Sequence, residues 1–225
     1  ALVLILELVS KQLLLASSLK IETRLVERNV EQAVSALSAE LSAMDRIAAD
    51  WAAWDDTCQF MEDQNADYIK SNLVDDTFRQ LRLNLILFFD TAGKLVYGRV
   101  ADLASGEIAE PSSLILYPVG FGNVLLRHES LTNSISGFVA FADGPMMVVS
   151  RPIVTSNNEG PIRGVLVIGR YLDGGEIRSL SERTCLTLGL TPHSGSREAF
   201  SPPVGRRFEG AMTPVVVRPS GHHTV

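Results

Sequence analysis

The sequence predicts an α+β fold: a long N-terminal helix followed by a five-stranded antiparallel sheet. Three observations predict it. Apolar residues recur at alternating spacings of four and three over Val30, Val34, Leu37, Leu41, Met44, Ala48 and Trp51, a heptad seam with polar residues between its positions. Neither glycine nor proline occurs before Gly93, so nothing early in the chain breaks a helix. From Leu83 onward, runs of β-branched, aromatic and other apolar residues alternate with short turn signals, the pattern of antiparallel strands joined by hairpins.

The first element opens with ALVLILELV (Ala1 to Val9). Leu13, Leu14, Leu15 and Ala16 carry the apolar character on, and Glu7, Lys11 and Gln12 interrupt it. A bilayer crossing takes about 20 mostly apolar residues, so residues 1–19 read as the end of a truncated transmembrane helix. The alternative is an amphipathic helix with Glu7 and Lys11 paired at i,i+4. A signal peptide would need a basic start and a small-residue cleavage site, and neither is present. Residues 20–62 continue as a long signalling helix. Its seam buries either against the same helix of a second copy, giving a homodimer, or against the chain's own domain, and both can hold at different heights.

The strands follow in order. Leu83 to Asp90 and Lys94 to Val100 flank Thr91-Ala92-Gly93 and form a first hairpin. Gly137 to Ala142 and Met146 to Val154 flank Asp143-Gly144-Pro145 and form a second. A turn at Asn157-Asn158-Glu159-Gly160 leads to the last strand, Gly164 to Arg170. Ser112 to Arg127, between the second and third strands, is expected to pack over the sheet as helix or irregular loop. Asp173 and Glu176 have the spacing of a helix N-terminus, for a short helix running through Cys185. Five of the ten prolines lie from Pro192 on, among Gly, Ser and Arg without periodicity. Residues 191–225 are therefore expected to be a disordered tail.

Composition bounds the function. With 20 basic and 26 acidic residues, a net charge of -6 and no Lys/Arg block, the chain lacks the basic face that nucleic acid requires. Cys58 and Cys185 are too few for a disulfide framework, and the sequence leaves open whether they pair. No Cys/His spacing suggests a metal. GxSxG, HExxH, a phosphate-cradling loop and a dinucleotide fingerprint are all absent, so an enzyme is not expected and no cofactor is implied. Of the four histidines only His128 precedes the tail. Its Arg127-His128-Glu129 setting reads as a solvated surface.

The densest polar and aromatic constellation is Asp50-Trp51-Ala52-Ala53-Trp54-Asp55-Asp56, followed by Cys58, Phe60, Asp63, Asn65 and Tyr68. On a helix Trp51 and Trp54 share a face, as do Trp51 and Asp55. A carboxylate beside two indoles can make a polar pocket with apolar walls; the same spacing also suits a core. Asp55 and Asp56, about 100° apart around a helix, do not converge as an acid/base pair. Asn84 interrupts an apolar strand, on one face with Ile86 and Phe88. It bonds either a ligand or a helix terminus. Tyr97 lies on the partner strand. Arg170 ends the last strand, where a guanidinium can clamp a carboxylate. Trp51, Trp54, Asp55, Tyr68, Asn84, Tyr97 and Arg170 are thus the candidate ligand-binding residues.

Taken in order, WAAWDD (Trp51 to Asp56), Asn65-x-x-Tyr68-Ile69, Asn72-Leu73, FRQLRLN (Phe78 to Asn84), Asp90-x-x-Gly93 with Val96-Tyr97, Arg151-Pro152-Ile153 and Gly164 to Arg170 resemble the fourth type of CHASE domain over roughly residues 37–190. That resemblance implies an extracytoplasmic sensory domain with a PAS/Cache-like sheet, set between two transmembrane helices. It places the protein in the inner (cytoplasmic) membrane, with the domain in the periplasm or the extracellular space. It implies a histidine kinase or diguanylate cyclase output module elsewhere. The expected function is to bind a small molecule and relay a helix rearrangement. The alternative is a dimerising spacer that binds no small molecule and responds to a partner protein. Two features depart from the family: Cys58 stands where an aromatic residue is usual, and the sequence after Leu190 does not resemble a second membrane helix.

Overall fold

The computed structural model describes residues 2–112, 124–141, 143–192 and 215–219, with side chains described between residues 24 and 189. Most of the crossover and most of the tail lie outside the described residues.

Helix α1 runs without interruption over Leu2–Ala52, about 77 Å at 1.5 Å per residue. From Ala33 onward one stripe is buried: Ala33, Leu37, Glu40, Met44, Ala48 and Ala52. Only Leu37, Met44 and Ala48 of the predicted seam belong to this stripe; Val34, Leu41 and Trp51 are partly buried beside it and Val30 is exposed, and the surface covered is the chain's own sheet together with a later helix. Gln32 Nε2 still donates to the Thr184 carbonyl at 2.9 Å, but nearer the N-terminus Leu25, Val26 and Val30 are exposed. Among the described residues, no helix is long and apolar enough to cross a membrane.

The long helix ends ten residues earlier than the sequence predicts, and tertiary pairing causes it. Val154 N–H donates to the Ala52 carbonyl at 2.9 Å, and Ala53 forms a parallel bridge with Val154. Two residues on, Asp55 N–H donates to Ser156 Oγ at 3.1 Å and Ser156 N–H donates to Asp55 Oδ1 at 3.0 Å. A strand end thus takes the hydrogen bonds that a continuing helix would use. Three short helices follow: α2 (Asp55–Asp63), α3 (Ala66–Asn72) and α4 (Asp75–Leu81). Asn65 caps α3 by accepting from Tyr68 N–H at 2.7 Å. Arg82, at φ 53° in the left-handed region, closes α4 and turns the chain into the sheet.

The sheet is antiparallel and six-stranded: β1 (Leu85–Asp90), β2 (Leu95–Ala101), β3 (Ile108–Ala109), β4 (Ile135–Phe141), β5 (Gly144–Ile153) and β6 (Gly164–Tyr171). Its order is β3-β2-β1-β6-β5-β4. Both predicted hairpins form, and the last strand joins them by pairing with β1 and β5. The strand beyond the five expected is the two-residue β3, too short to leave a pattern in sequence. Asp90 builds the first turn: its Oδ1 accepts from Ala92 N–H at 2.9 Å and Lys94 N–H at 2.8 Å, and Gly93 takes φ 79°.

Both sheet faces are covered, so the central strands read as continuous apolar runs. Ile86, Phe88, Met147, Val149, Leu166 and Ile168 face α1 and the short helices. Leu85, Leu87, Met146, Val148, Val165 and Val167 face the other way and pack with Leu125. Helix α5 (Gly174–Thr184) is capped by Asp173, whose carboxylate accepts from Glu176 N–H at 2.9 Å, and it ends at Cys185 in the left-handed conformation. Beyond it, β7 (Leu188–Pro192) pairs with β8 (Val215–Pro219). A strand there differs from the expectation of a tail without regular structure; its three consecutive valines are good β-formers. Cys58 is buried, Cys185 is exposed, and both are free thiols.

Candidate functional site

Six of the seven candidate residues separate into two groups at opposite ends of β1, and Trp51 stays apart from both. At one end Trp54, Tyr68 and Tyr97 join Phe60 and Phe88 in an aromatic cluster. Phe60 stacks on Tyr68 with ring centroids 4.6 Å apart, and Trp54 lies 6.1 Å from Tyr68. Tyr97 meets Phe88 at 6.1 Å, edge to face. The break at Ala53 makes this possible. Trp54 is the N-cap residue of α2, with φ -133° and ψ 130°, so it does not share a helical face with Trp51, as the sequence suggests. Trp51 stays on the last turn of α1, half-buried against the main core.

The cluster is apolar except at its hydroxyls. Tyr68 Oη and Thr57 Oγ1 lie 2.7 Å apart, both buried, each able to donate to the other. Burial pushes the Tyr68 phenol up to about 12, against the opposing pull of the Thr57 bond. Burial also raises the Tyr97 phenol, with the Arg99 guanidinium, 4.9 Å over its ring, pulling the other way. Asp55 sits exposed on the rim, held by its reciprocal bonds with Ser156. Burial, and then the Asp55 charge, raise the Cys58 thiol nearby. Cys58 is itself buried, in the same core as Phe60 and Met61.

At the other end, about 13 Å along β1 at 3.3 Å per residue, Asn84 and Arg170 bond the protein itself. Asn84 Nδ2 donates to the Ala101 carbonyl at 2.9 Å, and its Oδ1 accepts from Tyr171 N–H at 2.9 Å. It therefore ties together the two strands flanking β1, neither capping a helix nor facing an open cavity. Arg170 does clamp a carboxylate, but an internal one: Nη1 donates to Glu40 Oε2 of α1 at 2.9 Å. Its Nε donates to Arg82 O at 2.7 Å and its Nη2 to Leu81 O at 3.0 Å, satisfying carbonyls at the end of α4. Glu40 also meets Arg183 of α5 at 2.5 Å, and Arg82 pairs with Glu176. Burial lowers the Arg170 guanidinium, while the Glu176 and Glu40 charges oppose this.

Two further constellations carried no signal in sequence, because their members are far apart in the chain. Asp45 of α1 accepts from Arg151 of β5 through Nε at 2.8 Å and Nη2 at 2.5 Å, and from Ser134 Oγ at 2.5 Å. Burial raises the Asp45 carboxyl, but the Arg151 and Ser134 bonds and the Arg151 charge outweigh it and hold the group below its ordinary range. His128 is not the solvated residue its neighbours suggest. It is half-buried, with Nε2 3.0 Å from Ser150 Oγ and Nδ1 3.0 Å from Asn133 Oδ1. Serine, histidine and asparagine in this order have the look of a nucleophilic triad. Ser150, however, is fully buried, and its hydroxyl donates to the Leu125 carbonyl at 2.5 Å. A substrate cannot reach it. Among the described residues no cluster of His, Cys, Asp and Glu is arranged to hold a metal ion.

Comparison with known proteins bears on this architecture. The family model for the CHASE4 domain matches residues 36–191. A methanogenesis regulatory histidine kinase, FilI, of Methanothrix harundinacea (strain 6Ac) is 31% identical over 186 residues, covering 82% of this chain. The chain spans only about a fifth of that relative's length, 20%. Two solved structures share the fold. One is a domain of a sensory box/GGDEF family protein from Vibrio parahaemolyticus (TM-score 0.52, 15% identity, 77% of this chain and 74% of that one). The other is the extracellular domain of a histidine kinase (TM-score 0.51, 14% identity, 76% and 67%).

Proposed function

The chain belongs to the CHASE4 domain family, and from that premise we propose that it is the extracytoplasmic ligand-sensing domain of a membrane-anchored signal-transduction receptor. In this reading a small molecule binds the domain, and α1 carries the response to an output module, a histidine kinase or a diguanylate cyclase, outside this sequence. Residues 1–19 are the end of the membrane helix. The exposed Leu25, Val26 and Val30, lying just before α1 meets its own sheet, form the contact with the same helix of a second copy. The seam thus serves the dimer at one height and the domain's core at another.

The observation that carries this reading is how α1 is held. One uninterrupted helix is fastened to the sheet by two ion pairs, Glu40 with Arg170 and Asp45 with Arg151, on neighbouring strands β6 and β5. A shift of β5 against β6 cannot leave both pairs intact unless α1 moves. A ligand drives such a shift only through different affinity for the two arrangements, and couplings of this kind are about 1–3 kcal/mol. The proposed site is the rim formed by Trp54 and Asp55 over the Tyr68 and Tyr97 cluster.

The test is thermal unfolding of the full chain against amino acids, organic acids and nucleobases, repeated on Asp55→Ala and Arg170→Ala. A ligand at about 100 times its Kd stabilises by about 2.7 kcal/mol, a shift of roughly 5–10 °C for a domain of this size. Loss of that shift in Asp55→Ala supports the rim. An unchanged shift in both variants removes the site assignment. A specific observation favours the second reading, a spacer that binds no small molecule: the polar groups of Tyr68, Asn84 and Arg170 are all bonded within the protein. No response to any compound class, with the chain still dimeric by sedimentation, would establish that alternative.

A further inference from the structure

Among the described residues one buried side-chain polar atom has no hydrogen-bond partner: Oε2 of Glu176, a residue almost fully buried near the start of α5. A carboxylate oxygen shut away from water without a donor is costly, and the groups around it suggest what it serves. Two buried carboxylates belong to this network, Glu40 on α1 and Glu176 on α5. Each has a half-exposed arginine of its own: Arg183 Nη1 meets Glu40 Oε1 at 2.5 Å, and Arg82 pairs with Glu176 Oε1. A single deeply buried arginine, Arg170 of β6, completes the network. It donates to Glu40 Oε2 at 2.9 Å and leaves Glu176 Oε2 without a donor.

We propose that Arg170 is a two-position clamp: in the arrangement seen here it fixes α1 to the sheet through Glu40, and in a second arrangement it turns to Glu176 Oε2, fixes α5 instead and leaves Glu40 to Arg183. The donor inventory permits this exchange. Nε of Arg170 is committed to the Arg82 carbonyl and Nη2 to the Leu81 carbonyl; both acceptors are backbone, so the guanidinium stays anchored at the end of α4. Nη1 carries the bond to Glu40, and only that bond changes hands. Neither carboxylate is stripped of partners in either arrangement, because Arg82 and Arg183 remain with Glu176 and Glu40. The second acceptor is close by: Arg82, whose carbonyl Arg170 holds, is the residue whose own guanidinium grips Glu176. Burial lowers the Arg170 guanidinium, and of the two carboxylate charges that oppose this, that of Glu176 acts more strongly than that of Glu40.

The exchange moves α1 without detaching it. Gln32 Nε2 donates to the Thr184 carbonyl at 2.9 Å and Glu40 holds Arg183, so α1 and α5 are joined directly at both Gln32 and Glu40. Only the link from α1 to β6 is given up, and a link from α5 to β6 replaces it. Asp45 keeps its hold on Arg151 of β5, so α1 pivots there. Packed elements switch between discrete arrangements of this kind rather than deforming continuously. This inference goes beyond ligand sensing: it names an element with two positions that any input to the domain can bias, and it holds whether or not a small molecule binds at the rim.

The test is nuclear magnetic relaxation dispersion on the full chain without ligand, which reads exchange between arrangements on the μs–ms timescale. Amides of α1 around Glu40, amides of α5 around Glu176 and the Arg170 Nε–H should all show exchange with one common rate. Glu176→Met removes the second acceptor and should abolish that exchange at all three places. Arg183→Met removes the partner on which Glu40 falls back and should reduce the amplitude; the Arg183 side chain is half-exposed, so this variant decides the matter if Glu176→Met does not fold. Arg163→Gln, which breaks a separate ion pair with Glu62, should leave the exchange as it is. Wild-type exchange absent from both helices, the result expected if a buried water merely serves Glu176 Oε2, overturns the proposal. Unrelated rates in α1 and α5, exchange that persists in Glu176→Met, or an undiminished amplitude in Arg183→Met does the same.

Discussion

Replacing Arg170 by alanine separates a structural guanidinium from a ligand-binding one. The side chain is almost fully buried and donates to Glu40, Leu81 O and Arg82 O. Its loss leaves the buried Glu40 carboxylate with only Arg183, whose side chain is half-exposed. Breaking a buried pair by removing one partner costs about 3–5 kcal/mol. For a domain of this size the midpoint of thermal unfolding should drop by roughly 6–20 °C. Urea denaturation followed by far-UV circular dichroism gives the free energy, and an unchanged m-value shows that the folded state is otherwise intact. Glu40→Met should cost a similar amount, because it strands Arg170 in the same place. The double variant Glu40→Met/Arg170→Ala should lose less than the sum of the singles by at least about 2 kcal/mol. A loss below about 1 kcal/mol for Arg170→Ala, or strict additivity in the double variant, would refute the view that this pair fastens α1 to the sheet.

Three other perturbations follow from the same geometry. Asn84→Ala strips partners from the Ala101 carbonyl and the Tyr171 amide, and at about 1–3 kcal/mol per orphaned buried group it should destabilise measurably in urea and expose the Tyr171 amide to exchange. Thr57→Val should cost about 1–3 kcal/mol by stranding the Tyr68 hydroxyl; adding Tyr68→Phe should recover part of that loss, and a further loss would contradict the pairing. Asp45 has its carboxyl held below the ordinary 3.8, so its contribution is complete above 3.8 and disappears as pH falls through the lower folded value. Asp45→Asn should therefore flatten the dependence of stability on pH below 4, read from urea midpoints at several pH values; an unaltered acid limb would show that other carboxylates set it.

The aromatic cluster shows where local reading stops. Sequence singled out Trp54, Tyr68 and Tyr97, and the structure does bring these three together around Phe60 and Phe88. It does so by a geometry that local pattern could not express. WAAWDD contains no helix breaker, and the break at Ala53 comes from Val154 and Ser156, about a hundred residues away, which take the Ala52 carbonyl and the Asp55 N–H on either side of it. His128 was misread for the same reason. Arg127 and Glu129 beside it are polar, and its actual partners, Ser150 and Asn133, reach it only when the segment carrying it folds against β5.

By itself the sequence determined what depends on nearest neighbours and period: the long helix with Leu37, Met44 and Ala48 of its buried stripe, both hairpins, the Asp90 turn, the Asp173 cap and the CHASE4 resemblance, since each is a short-range pattern of side-chain spacing. Tertiary structure decided the rest. It set β6 between β1 and β5, ended α1 at Ala52, and turned Asn84 and Arg170 inward onto the protein's own carbonyls and carboxylate. The physical reason is that a buried donor or acceptor must find a partner, and which partner it finds depends on distant segments arriving at the same place.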